Sequence, residues 1–128
     1  MFNAENVFSS FSANDLAAAR SFYQDVLGLD VTTNAMGFID LHLPGGASVL
    51  VYEKPTHSPA SFTVLNFLVD DVDAAVEELV GRGVTMEHYD EMPQDANGVM
   101  RGNGPDIAWF ADPAGNVLAL IKNEELPA

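Results

Sequence analysis

One order of elements occurs twice in this chain, and that repeat limits the possible folds more than any single motif does. Its clearest part is residues 107–121, IAWFADPAGNVLALI, which read as a strand, a tight turn and a second strand. In the turn Asp112-Pro113-Ala114-Gly115-Asn116, proline presets φ and glycine permits positive φ. The aspartate and asparagine side chains can bond their own backbone there. A weaker copy centres on Pro44-Gly45-Gly46, between expected strands at 38–43 and 48–52.

Upstream of each hairpin stand a strand and a helix. Segment 7–12 reads as a strand, and Asn14 and Asp15 as helix caps. Leu16, Ala19, Phe22, Tyr23, Val26 and Leu27 then fall on one helical face. Gly28 is placed to end that helix, and 29–33 reads as a strand. In the second half, 62–69 is an expected strand, and Asp70 and Asp71 cap a helix whose apolar face is Val72, Ala75, Val76, Leu79 and Val80. Segment 84–89 is an expected strand, followed by a long polar loop, 90–105. A loop of that length in a compact unit is usually functional or mobile. The expected fold is α+β: two tandem βαβββ modules, 1–55 and 61–123, in a single domain 1–128.

The absence of cysteine removes disulfides and thiolate chemistry. No apolar run approaches the roughly 20 residues that span a bilayer, and the first residues lack a signal peptide's basic and apolar regions. A cytoplasmic protein is expected. Five Lys and Arg against 19 Asp and Glu give a net charge of −14. That field repels nucleic acid and anionic membranes, so neither is an expected partner. The charges are scattered, and solubility suffices to explain them, although the same field would favour a cationic ligand.

With these elements in place, NDLAAARSFYQDVLGL at 14–29, VDDVDAAVEELVGRGV at 69–84 and AWFADPAGNVLALI at 108–121 resemble the vicinal oxygen chelate superfamily, the glyoxalase/bleomycin-resistance/dioxygenase group. The resemblance implies two βαβββ modules whose strands curve into a half-open barrel, with the helices on the convex face and a cavity on the concave one. It also implies a homodimer. Enzymes of this group hold a divalent metal through His, Glu or Gln on the first and last strand of each module. Carried over one by one, those positions are Phe8, Leu50, Val64 and Ala119 here, all apolar, and a slip of one residue does not supply a ligand set. No metal and no other cofactor is therefore expected.

Strand alternation assigns the remaining faces. If those four positions face the cavity, so do Ser10, Ser48, Tyr52, Asn66, Leu68, Val117 and Ile121, while Val49, Val51, Leu65, Phe67, Leu118 and Leu120 face the helices. On 38–43, Ile39, Leu41 and Leu43 go under a helix, leaving Phe38, Asp40 and His42 for the cavity, with Trp109 matching Asp40 by position. The expected ligand-binding residues are Phe8, Ser10, Phe38, Asp40, His42, Leu50, Tyr52, Asn66 and Trp109, with Met100 and Arg101 from a flexible lid that also holds Met92. Asp40 and His42 are weak catalytic candidates: an acid–base pair, or an ordinary solvated pair. His57 reads as exposed in a proline-rich linker. His88, Asp90 and Glu91 have ligand-capable side chains at a spacing that matches no defined metal site. The expected function is metal-independent binding of a small aromatic or cationic molecule, resembling the bleomycin-resistance branch. The alternatives are a lyase, isomerase or dioxygenase-like enzyme using Asp40 and His42 or an atypical metal site, and a module with no ligand.

Overall fold

Each helix starts on an aspartate cap. The computed structural model describes residues 2–124, so the ends of the expected domain 1–128 lie outside the described residues. The Asp15 carboxylate accepts from the Ala18 N–H and that of Asp71 from the Ala74 N–H, each at 3.0 Å. These bonds satisfy donors that the first helical turn leaves without partners. Helix α1 is Leu16–Ser21 and runs directly into a π-helical turn, Phe22–Val26, closed by Leu27 N–H to Phe22 O at 3.0 Å. Gly28, at φ +73°, then takes the left-handed turn that ends it. Helix α2 is Val72–Gly81.

Among the described residues, seven strands complete the α+β architecture: β1 Ser9–Ala13, β2 Asp30–Thr33, β3 Ile39–His42, β4 Ser48–Glu53, β5 Thr63–Val69, β6 Ile107–Ala111 and β7 Val117–Lys122. The chain divides between Pro59 and Ala60 into two compact units. In the first, one sheet has the order β1-β4-β3-β2, with β1 parallel to β4 and the other pairs antiparallel. In the second, the order is β5-β7-β6, with β5 parallel to β7. Neither sheet closes on itself.

The first unit's core is one face of its sheet. Ala13, Val31, Ile39, Leu41, Val49 and Val51 are buried with Ala19 of α1 and Tyr23 of the π turn. Tyr23 is fully buried, with its ring 6.1 Å from that of Phe11 and 5.2 Å from that of Phe22. In the second unit, Ala108, Phe110, Leu118 and Leu120 are buried with Val72, Val76 and Leu79 of α2. Val80 departs from the expected apolar face: it is 52% exposed and rims an open depression of about 330 Å³ with Val84, Met86 and His88.

Two further expectations are corrected. The expected strand at 84–89 is reduced to a single bridge, Met86 to Phe110, plus Glu87 N–H to Trp109 O at 2.8 Å. The Gln94 side chain takes the place of a neighbouring strand: its oxygen accepts from Tyr89 N–H at 2.7 Å, and its amide donates to Glu87 O at 2.9 Å and Gly98 O at 2.8 Å. Val64 falls in a register shift of β5, where Thr63 pairs with Val117 but Leu65 with Leu118. Alternation cannot be carried through such an irregularity, so the face expected for Val64 does not follow from its neighbours.

Candidate functional site

On β3, Ile39 and Leu41 are buried while Asp40 and His42 are only half-buried, as alternation requires. Register then extends that second face across the sheet. Ser10, Leu50, Asp40 and Thr32 lie in one row, Ser12 and Tyr52 in the next, and Ser48, His42 and Asp30 on the other side. Phe38 and Tyr52 meet edge to face, ring centroids 6.4 Å apart. The first unit therefore presents an aromatic pair and Leu50 on a face otherwise made of hydroxyls, a carboxylate and imidazole.

Asp40 and His42 do not bond each other. His42 Nε2 lies 2.8 Å from Thr32 Oγ1 and its Nδ1 3.4 Å from Ser48 Oγ, while Asp40 accepts from Asn34 Nδ2 at 3.3 Å. Asp40 and His42 have each found a cross-strand or turn partner instead of their neighbour along the strand. His57 is not the exposed linker residue the sequence implies. It is half-buried, and its Nδ1 lies 2.6 Å from Ser12 Oγ. Nothing in a linear reading links residue 57 to β1; the β1–β4 register that brings them together is tertiary. Phe8 precedes β1 and is 63% exposed.

The other candidates belong to the second unit. Asn66, Ala119 and Trp109 share a row of its sheet. Trp109 is buried, with its ring 5.6 Å from that of Tyr89. Burial, then the nearby Glu87 charge, pushes the Tyr89 phenol up from its usual value. Met100 is half-buried and bridges backbone to backbone with Ile107.

The loop 90–105 that carries Met100 and Arg101 is held at many points, contrary to a free lid. Arg101 lies 2.6 Å from Asp73 of α2, 3.2 Å from Asp95 and 3.0 Å from Asp106. Hydrogen bonding to Asp73 and then Asp95 raises the guanidinium pKa further. Three carboxylates thus neutralise the arginine expected among the ligand-binding residues. Asp95 is itself a loop staple, accepting from Asn97 N–H at 2.9 Å and Val99 N–H at 3.0 Å. The Val99 N–H holds its carboxyl below the usual range against an opposing effect of burial, with the Asn97 N–H and Arg101 adding to the depression.

A carboxylate depressed in the folded state contributes stability above its unfolded pKa, and that contribution is lost as pH falls through the folded value. Asp95→Asn should therefore cost about 0.5–1 kcal/mol at pH near 7, reduced by the site's exposure. Denaturant titrations should show the gap closing as pH drops below the ordinary aspartate value of 3.8.

Metal chemistry of the kind the sequence resemblance implies needs nitrogen, oxygen or sulfur donors. Phe8, Leu50, Val64 and Ala119 have none, and Ala119 is fully buried. These residues do not fit a metal ion. Among the described residues, no three His, Asp or Glu side chains cluster in a way that could hold one, His88, Asp90 and Glu91 included.

Comparison with known proteins is consistent with this fold. The chain is similar to TnmS3, an antibiotic binding protein from a Streptomyces species, at 27% identity over 96% of this chain and 100% of that one, with a TM-score of 0.65. It is similar to a glyoxalase/bleomycin resistance protein/dioxygenase superfamily member from Sphaerobacter thermophilus at 25% identity, over 92% and 98% of the two chains, with a TM-score of 0.68. A lactoylglutathione lyase from Agrobacterium tumefaciens shares the fold at 22% identity, over 94% and 95%, with a TM-score of 0.65. No curated protein is similar enough in sequence to count as a relative. The family model matches residues 9–120, spanning both sheets and both helices, so the chain belongs to the Glyoxalase/Bleomycin resistance protein/Dioxygenase superfamily.

Proposed function

We propose that this chain binds a small organic molecule without a metal ion, using the face of the first sheet that carries Phe38, Tyr52 and Leu50. The observation that carries the reading is the edge-to-face Phe38–Tyr52 pair beside Asp40 and His42. An apolar, aromatic patch punctuated by a few fixed polar groups suits a small, partly apolar ligand. Apolar side chains at the four positions where metal-dependent relatives need donors support a binding role over metal chemistry. The likeness to an antibiotic binding protein, at 27% identity over nearly the full length of both chains, supports it too. Homodimer formation, implied by the family, stands with this reading as an expectation.

The test is thermal unfolding of EDTA-treated protein against divalent metals and a panel of small aromatic compounds. A ligand of the folded state raises the midpoint by mass action, by about 2.7 kcal/mol of stability at a hundredfold excess over Kd. At least one aromatic compound should shift the midpoint, and Tyr52→Ala should weaken its binding roughly tenfold or more. A stoichiometric shift with a metal alone, with none for any aromatic compound, would overturn the reading.

A further inference from the structure

Two polar stations stand on the aromatic face of the first sheet, and their spacing describes a ligand. The first is Asp40. It is half-buried, and among the described residues it has one hydrogen bond, the long one of 3.3 Å from Asn34, and no ion pair with a lysine or arginine. The basic side chain of α1, Arg20, is committed to Thr33 Oγ1 at 2.8 Å and Val31 O at 3.2 Å. A half-buried carboxylate with no lysine or arginine beside it leaves room for a cationic ligand to pair with it.

The second station is the Ser12–His57 pair, 2.6 Å apart. A hydroxyl and an imidazole together can donate to or accept from an uncharged oxygen. Ser12 is level with Tyr52, and Asp40 is level with Leu50. The two stations are therefore two residues apart along β4 and two strands apart across it, roughly 12 Å from backbone to backbone. The apolar surface at that level is Leu50, Tyr52 and Phe38.

Resting on the binding reading above, we infer that the ligand is an arylalkylamine with a hydroxyl or carbonyl across the ring from its aminoalkyl arm. The ammonium faces Asp40, the ring lies on Tyr52, Phe38 and Leu50, and the oxygen meets Ser12 and His57. A phenol bearing a short aminoalkyl arm in the para position spans that separation with a hydrogen bond at each end. The face of Tyr52 or Phe38 adds attraction for the cation. His57 is then a specificity-determining residue contributed by the linker.

The test is calorimetric binding to the full chain of three probes: tyramine, phenethylamine, which lacks the hydroxyl, and para-ethylphenol, which lacks the amine. Tyramine should bind tightest, with each missing group costing about tenfold. Asp40→Asn should abolish the preference for tyramine over para-ethylphenol. His57→Gln and Ser12→Ala should each abolish the preference for tyramine over phenethylamine. Unfolding midpoints of the free variants check that each folds. Equal binding of all three probes, or preferences that survive the substitutions, overturns this inference and leaves the binding reading standing. If no aromatic compound binds the wild-type protein, that reading falls and the inference with it.

Discussion

Replacing Asp112 by alanine should lower stability by about 3 kcal/mol, because at least three donors converge on its buried carboxylate. Oδ1 accepts from Ala114 N–H and Asn116 N–H, and Oδ2 from Asn116 Nδ2, each at 2.9 Å. Both side chains are nearly closed to solvent, Asp112 at 5% and Asn116 at 2% exposure. Removing the acceptor strips at least three hydrogen bonds from a largely buried site, which costs more than the same loss at an exposed one. The unfolding midpoint should fall by roughly 10 °C. The geometry also sets a stricter test. Asp112→Asn opposes one amide group to another, and Asn116→Asp opposes two carboxylates. Each alone should be destabilising, while the double exchange restores one donor facing one acceptor and recovers part of the loss. A double-mutant cycle with no favourable coupling would show that the pair does not act as a unit.

Tyr23→Ala should cost about 4 kcal/mol, comparable with the loss of a large aromatic side chain from any close-packed core. Tyr23 is fully buried and packs against Phe11 of β1 and Phe22 of the π turn, so its removal opens a cavity bounded by the helix and the sheet of the first unit. Tyr23→Phe keeps the ring and removes only the hydroxyl. No buried side-chain polar atom of the described residues is without a partner, so that change should cost about 1 kcal/mol. Urea unfolding of both variants separates the contributions. If Tyr23→Phe proved as damaging as Tyr23→Ala, the hydroxyl's hydrogen bonding would outweigh the packing.

Features governed by short-range rules were legible in the sequence. The caps at Asp15 and Asp71, the turn at Gly28 and the Asp112 hairpin all involve partners a few residues away. The division of β3 into Ile39 and Leu41 against Asp40 and His42 follows from alternation alone. Other features were hidden because their partners are distant or are not backbone. Residues 84–89 have strand composition, but the Gln94 side chain provides bonds that a neighbouring strand would otherwise make. Arg101 could equally have met a ligand, and only tertiary structure brings Asp73 to it from 28 positions away. His57 reaches Ser12 across 45 positions. Alternation placed Asp40 and His42 on one face, yet it could not reveal that Thr32, Ser48 and Asn34 would claim their hydrogen bonds.

The strand order β1-β4-β3-β2 leaves the first sheet two terminal strands, and their composition bears on behaviour in concentrated solution. An open sheet margin is a template on which a stray chain can crystallise into fibrils. Here one margin is five residues long, Ser-Ser-Phe-Ser-Ala, and the other four, Asp-Val-Thr-Thr. Segments so short and so rich in hydroxyl and carboxylate groups offer little apolar surface to an incoming strand. At −14 the molecules also repel one another at the distances where such growth begins. Colloidal stability is thus written into the two strands that end the sheet, apart from those that build its aromatic face.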